Sequence, residues 1–199
     1  MDLVDDNFES RNICSYFDFS ALKSALPTRC SSFVVLHQNI WSFHKNFDEF
    51  IALLEQSSVV VDVIVLTETW FRSNDEGVID GYSGYHSSRK ERRGGGVSIY
   101  VRNNYRSSVI NGINVPADVC EVITVRITID DIFTINLLGV YRPPSGSTCI
   151  DDFNHVLSSD ILSYFKSSDL VVVAGDFNIN LMRRTNHEEE YMNIFRSRG

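Results

Sequence analysis

The chain has no apolar run approaching the ~20 residues that a membrane-spanning helix needs, which argues against a membrane span. Its opening, MDLVDDNFESRN, has neither the basic start nor the apolar stretch of a secretory signal. Cysteine is scarce: Cys14, Cys30, Cys120 and Cys149 are the only four, and no two are spaced like metal ligands. They read as reduced thiols of an intracellular protein. Positive charge is in the minority, with 18 Lys and Arg against 26 Asp and Glu and a net charge of −8. Taken alone, that balance speaks against a nucleic-acid partner. Local patches decide binding, however, and the run SSRKERR gathers Arg89, Lys90, Arg92 and Arg93. Arg183–Arg184 is a smaller patch. A basic run of this kind is most often a solvated loop.

What the chain does contain suits one folded domain. It is 43% hydrophobic over 199 residues and holds 13 Phe and 8 Tyr, enough for a full-sized core. Residues 1–32 are polar without a sustained period and read as a poorly ordered lead-in; the domain is expected over 33–199.

Along that domain the pattern strand, helix, strand occurs twice. FVVLHQN (33–39) reads as a buried strand. Phe47, Phe50, Ile51 and Leu54 then fall on one helical stripe, and DVIVLTET (62–69) reads as a second buried strand. A long polar loop follows, ending in RRGGG, and VSIYV is the next strand. EVITVRITI (121–129) alternates, with Ile123, Val125, Ile127 and Ile129 on one face, and Asp130–Asp131 turns the chain back into IFTINLLGVY, a hairpin. Thr148 and Asp151 form a helix start signal, Phe153, Leu157, Ile161 and Phe165 make the next stripe, and VVVAGDFNIN (171–180) is the closing strand. EEEYMNIFRS opens a last helix.

The strands of both units end in polar residues: Asn39 and Glu68 in the first, Tyr141, Asp176 and Asn178 in the second. Two sheets packed face to face would bring all five to one cleft. Their types fit phosphodiester hydrolysis. A carboxylate such as Glu68 suits Mg²⁺, which takes oxygen ligands and keeps several waters. A cation neutralises charge developing on phosphate oxygens. Asp176 can serve as base or orienting group for water. Asn39 and Asn178 can donate to phosphate or orient Asp176, and Tyr141 can donate its O–H. Each also has a bland reading. Asn39 could cap a helix, Glu68 could be a buried hydrogen-bonded acid, Tyr141 could simply pack, and Asp176 with Asn178 could form an Asx turn. Five such residues at strand ends in two matching units favour a shared site.

LHQNI, VIVLTETW, GVYRPP and VVVAGDFNIN, in that order, resemble the endonuclease/exonuclease/phosphatase superfamily. Within it, LTETW, GGGVSIYVRNN and YRPP resemble the apurinic-endonuclease-like domain of LINE-type non-LTR retrotransposons. The resemblance implies an α/β fold, a four-layer sandwich of two packed mixed β-sheets flanked by helices, here missing its last C-terminal strands. It implies a Mg²⁺-dependent or Mn²⁺-dependent endonuclease that nicks double-stranded DNA, acting in the nucleus and leaving a 3′-hydroxyl that primes reverse transcription. Glu68 would be the metal ligand and Asn39 would arrange the site. Tyr141 would contact the scissile phosphate, Asp176 would orient or activate the nucleophile, and Asn178 would support the phosphate. The basic run Arg89, Lys90, Arg92 and Arg93 is expected to contact the DNA backbone. Two features depart from the family: Trp41 stands where many relatives carry Asp, Asn or Arg, and the family's late SDH-like motif has no counterpart. His187 is not expected to replace that missing histidine. Two alternatives remain beside the endonuclease: a non-catalytic remnant of the domain, and a phosphatase acting on phosphoinositides or similar esters, against which YRPP and GGGVSIYVRNN argue.

Overall fold

Two parallel strand pairs, each joined by a helix, organise the molecule. The computed structural model describes residues 33–57, 59–72, 75, 77–87, 94–131, 133–144, 149–182 and 185–197. The first pair is β1 (Val35–Asn39) and β2 (Val63–Thr67), joined by α1 (Phe43–Ser57). β3 (Tyr82–Ser87) and β4 (Val97–Arg102) complete one sheet in the order β1-β2-β4-β3. The second sheet has the order β5-β6-β7-β8, from β5 (Arg106–Val109), β6 (Glu121–Ile129), β7 (Phe133–Tyr141) and β8 (Leu170–Asp176). Here β7 and β8 are the parallel pair. The helix α2 between them starts at Ile150, widens to π geometry over Val156–Ile161 and tightens to a 3₁₀ turn at Leu162–Tyr164. A last helix, α3 (Asn186–Arg196), begins on a capping box of Thr185 and Glu188.

Alternation along the strands builds four layers. Val63 and Val65 of β2 and Val97, Ile99 and Val101 of β4 face Ile123, Val125, Ile127 and Ile129 of β6 and Ile135 and Leu137 of β7, forming the core between the sheets. Ile64, Leu66 and Tyr100 point the other way, against Phe43 and Phe50 of α1. Leu138 and Val140 point outward from the second sheet against Phe153, Leu157 and Ile161 of α2 and Tyr191 of α3. The four-layer α/β sandwich of two mixed sheets is therefore present.

The helical stripes, the alternation in β6 and the hairpin all form as predicted. Asp130 and Asp131 both take positive φ (50° and 57°) in the turn, a conformation that Asp tolerates better than most side chains. Three expectations need correction. The polar segment before RRGGG contains a strand, β3, and a further strand, β5, follows β4. Both are edge strands whose pairing is set by β4 and β6, and their mostly polar faces carry no alternation to betray them. The helix start signal is also not used as read: Cys149 occupies the N-cap position without a side-chain cap, and Thr148 lies outside the described residues. The segment 1–32, Cys14, Cys30, Arg89, Lys90, Arg92, Arg93, Arg183 and Arg184 lie outside them too. Among the described residues Cys120 and Cys149 are free thiols, and no helix is long and apolar enough to cross a membrane.

Candidate functional site

Strand register carries the polar strand ends to one end of the sandwich. Asn39 closes β1 opposite Thr67 of β2, and Asp176 closes β8 opposite Tyr141 of β7. The face of β1 that points into the inter-sheet core carries Val35, and two and four residues on it carries His37 and Asn39. The same face of β8 carries Val172, Ala174 and then Asp176. The period of two thus aims Asn39 and Asp176 toward each other from opposite sheets.

They meet. Asn39 Nδ2 donates to Asp176 Oδ2 at 2.9 Å and to Glu68 Oε1 at 2.9 Å. One amide nitrogen therefore holds two carboxylates apart, and both of its hydrogens are spent in doing so. The sequence left open whether Asn39 donates to phosphate or orients Asp176; in the structure its amide hydrogens go to the two carboxylates. Its Oδ1 accepts the backbone N–H of Trp41 at 3.2 Å. Asp176 Oδ1 accepts the N–H of Asn178 at 3.1 Å, so the Asx turn also exists and fixes the second carboxylate oxygen. Asn178 sits at φ 48° and donates its side-chain amide to the Arg142 carbonyl at 2.7 Å.

Glu68 lies just beyond β2 at φ 55°, and Trp70 follows at φ 58°. A left-handed backbone at two bulky residues costs energy and persists only where surrounding bonds impose it. Those bonds are visible. The Glu68 carbonyl accepts from Ser42 N–H (2.8 Å), the Thr69 carbonyl from Phe43 N–H (3.0 Å), and Trp70 N–H donates to Gly95 carbonyl (2.9 Å). The glycine stretch is needed at that contact: Gly96 has φ 93°, and a Cβ there would lie 2.4 Å from Thr69 Oγ1. Gly175, before Asp176, is equally constrained, since a Cβ would lie 1.8 Å from the Val140 carbonyl oxygen on the neighbouring strand.

Tyr141 is 5% exposed, with its ring in the inter-sheet core at this same end. All five predicted residues, Asn39, Glu68, Tyr141, Asp176 and Asn178, are thus gathered at one end of the sandwich. His187 is elsewhere: it pairs with Asp151 where α3 meets α2. Among the described residues there is no group of three or more His, Cys, Asp or Glu able to hold a metal ion. The local donor set is Glu68 with Asp176, all oxygen and only two carboxylates. That fits a hard divalent cation that keeps most of its water, and it does not fit zinc.

Three supporting residues had no role assigned from the sequence. Arg142 is 3% exposed; its Nη1 donates to the carbonyls of Phe177 (3.4 Å) and Asn178 (3.2 Å), tying the Asp176–Asn178 turn to the end of β7. Burial pulls its pKa below the ordinary arginine value. Glu121 is buried at the start of β6, and its Oε2 accepts the Gly96 N–H at 2.8 Å, so the second sheet steadies the glycine stretch that holds Thr69 and Trp70. His37 bonds Thr67 Oγ1 through Nε2 at 3.1 Å; burial lowers its pKa, opposed by the negative charge of Asp176. Glu121 and Arg142 look like ordinary surface charges in the sequence, and His37 like one polar position within an apolar strand. Arg142 and His37 fall within the quoted motifs YRPP and LHQNI, neither singled out there.

Two clefts flank the Asn39–Asp176 bond. One, about 370 Å³, is lined by Asp176, Asn178, Asn180 and Tyr191 among others; the other, about 330 Å³, by Gln38, Asn39, Trp41 and Glu49 among others.

Comparison with known proteins agrees with this architecture. The model of the Endonuclease/Exonuclease/phosphatase family matches residues 36–190. A search of curated proteins finds no match. Among solved structures, an AP endonuclease from Archaeoglobus fulgidus superposes with a TM-score of 0.59 at 16% identity, covering 83% of this chain and 71% of that one. The AP endonuclease LMAP from Leishmania major gives 0.56 at 18% identity, covering 93% and 74%. The 3′ phosphatase NExo from Neisseria, bound to a product DNA hairpin, gives 0.56 at 14% identity, covering 83% and 71%. At these identities the likeness is one of fold.

Proposed function

The chain belongs to the endonuclease/exonuclease/phosphatase family, and from that premise we propose that its strand-end cluster hydrolyses phosphodiester bonds in double-stranded DNA, as a Mg²⁺-dependent or Mn²⁺-dependent nicking endonuclease of retrotransposon type. The observation that carries this reading is the Asn39 amide joining Glu68 and Asp176 across the two sheets. A structural acid has no need of a second acid beside it, whereas a hydrolytic site needs one carboxylate for a cation and another for water. LTETW, GGGVSIYVRNN and YRPP favour the retrotransposon branch, and action on genomic DNA would place the protein in the nucleus.

Glu68 would hold the cation, with Oε1 anchored by Asn39 and Oε2 without a partner among the described residues. A bound divalent ion would neutralise charge on a phosphate oxygen. Asp176 takes the proton of the attacking water, its two oxygens fixed by Asn39 Nδ2 and the Asn178 N–H. Tyr141 and Asn178 are the neutral donors toward the phosphate. Arg89, Lys90, Arg92 and Arg93 contact the backbone of the duplex and offset the net negative charge of the chain.

A second reading, release of phosphate from a DNA 3′ end, is favoured by the likeness to the Neisseria 3′ phosphatase. Incubating the chain with Mg²⁺ and either supercoiled plasmid or a 3′-phosphorylated duplex separates the two. Nicking that is lost in Asp176→Asn supports the endonuclease. Phosphate release without nicking supports the second reading. Neither reaction, at any Mg²⁺ or Mn²⁺ concentration, would leave a binding domain without chemistry.

A further inference from the structure

Trp41 is 64% exposed, although a tryptophan usually finds cover. The backbone carrying it is nevertheless tightly held. Trp41 and Ser42 take φ values of 46° and 86°, consecutive left-handed residues with side chains. Asn46 Nδ2 donates to the carbonyls of Ile40 and Trp41, both at 2.8 Å, Ser42 N–H donates to the Glu68 carbonyl at 2.8 Å, and Trp41 N–H donates to Asn39 Oδ1. The ring meets Trp70 edge to face, with centroids 6.4 Å apart, and Lys45 Nζ lies 6.0 Å from its centroid. Strain and four hydrogen bonds are thus committed to keeping an indole in water at the rim of the site. Trp41 also walls the cleft of about 330 Å³, beside Gln38, Asn46, Glu49 and Leu53.

We propose that Trp41 is a stacking platform for an unpaired nucleobase of the DNA strand whose phosphate lies at Glu68 and Asp176. The inference rests on the assignment of that site to phosphodiester hydrolysis. Trp41 is two residues from Asn39, within about 7 Å of chain, so a base attached next to the bound phosphate can reach it. A base has a free face only when it is out of the stack, so the strand must be frayed, gapped or flipped there. Stacking on an aromatic ring tolerates any base, and Lys45 beside the ring suits the adjoining phosphate.

Trp41 and Trp70 are the only tryptophans in the chain, so intrinsic fluorescence reports on this pair. The experiment titrates the whole chain, in EDTA to prevent turnover, with a duplex bearing a short thymidine overhang. The comparison duplex has the same overhang built from abasic sugars, and affinity is read by anisotropy. The thymidine overhang should quench the fluorescence and bind about 5- to 100-fold more tightly than the abasic one. Trp41→Ala should erase that difference and leave the abasic affinity unchanged, and Trp41→Phe should keep part of it. Equal affinity for the two overhangs overturns the stacking role alone, as does a difference that survives in Trp41→Ala. Failure of both duplexes to bind overturns the stacking role together with the site assignment beneath it.

Discussion

Replacing Asn39 with alanine removes the one side chain that separates Glu68 from Asp176. Two hydrogen bonds of ordinary length leave its nitrogen about 120° apart, which puts the two carboxylate oxygens roughly 5 Å from each other. At an effective dielectric constant near 20, two unit charges at that distance repel by roughly 3 kcal/mol. In the native chain the amide hydrogens offset this, since each hydrogen bond to a charged group contributes about 1.5–3 kcal/mol. Both acids are only half-buried, so water recovers part of the loss in the variant. The expected net destabilisation is about 2–4 kcal/mol at neutral pH without divalent ions. Urea unfolding followed by circular dichroism should show a lower midpoint and an unchanged slope. Asn39→Asp should be less stable still, because it adds a third negative charge at the same point. A loss under about 0.5 kcal/mol in Asn39→Ala would mean that each acid is solvated by itself. An aspartate variant more stable than the alanine variant would refute the reasoning from charge crowding.

Burial holds His37 below its ordinary pKa of 6.5 in the folded chain, so below that pH the unfolded chain binds more protons. Its contribution to stability is therefore complete above pH 6.5 and is lost as pH falls toward the folded value. His37→Gln should flatten the acid side of the pH–stability curve and leave a residual slope from His86, whose pKa burial also lowers; an unaltered slope would mean that His37 titrates alike in both states. Glu121→Ala should cost about 1–3 kcal/mol by leaving the buried Gly96 N–H unpaired, and Glu121→Gln should cost less because its carbonyl can still accept. Equal losses in those two variants would show that packing, and not the hydrogen bond, is at stake.

How far these features could be read in the sequence depended on how local their causes are. The paired strand–helix–strand units, the β6–β7 hairpin and the gathering of Asn39, Glu68, Tyr141, Asp176 and Asn178 follow from periodicity and from the polar ends of apolar runs, and all are present. β3 and β5 were not legible, because Ser83, Gly84, Ser107 and Ser108 become strand residues only through pairing with β4 and β6. Arg142 and Glu121 look like surface charges until the fold brings the Phe177 and Asn178 carbonyls and the Gly96 N–H to them from distant positions. The pair of hydrogen bonds from Asn39 was equally hidden: its two acceptors stand at strand ends of different sheets, Glu68 just after β2 and Asp176 closing β8, and only face-to-face packing brings them together. The left-handed backbone at Trp41, Glu68 and Trp70 is imposed by hydrogen bonds between loops, and no propensity of those residues announces it.

The proposed hydrolytic site depends first on Glu68 taking the divalent cation. Calorimetric titration of Mg²⁺ into the chain and into Glu68→Gln tests this directly. The substitution keeps the shape and an acceptor oxygen but removes the charge, and turning the amide gives Asn39 its partner again. The expected result is binding to the native chain, at least tenfold weaker binding to the variant, and, without metal, an unfolding midpoint in the variant no lower than the native one, because loss of the Glu68 charge relieves its repulsion with Asp176. Equal Mg²⁺ affinity in the two proteins would contradict it.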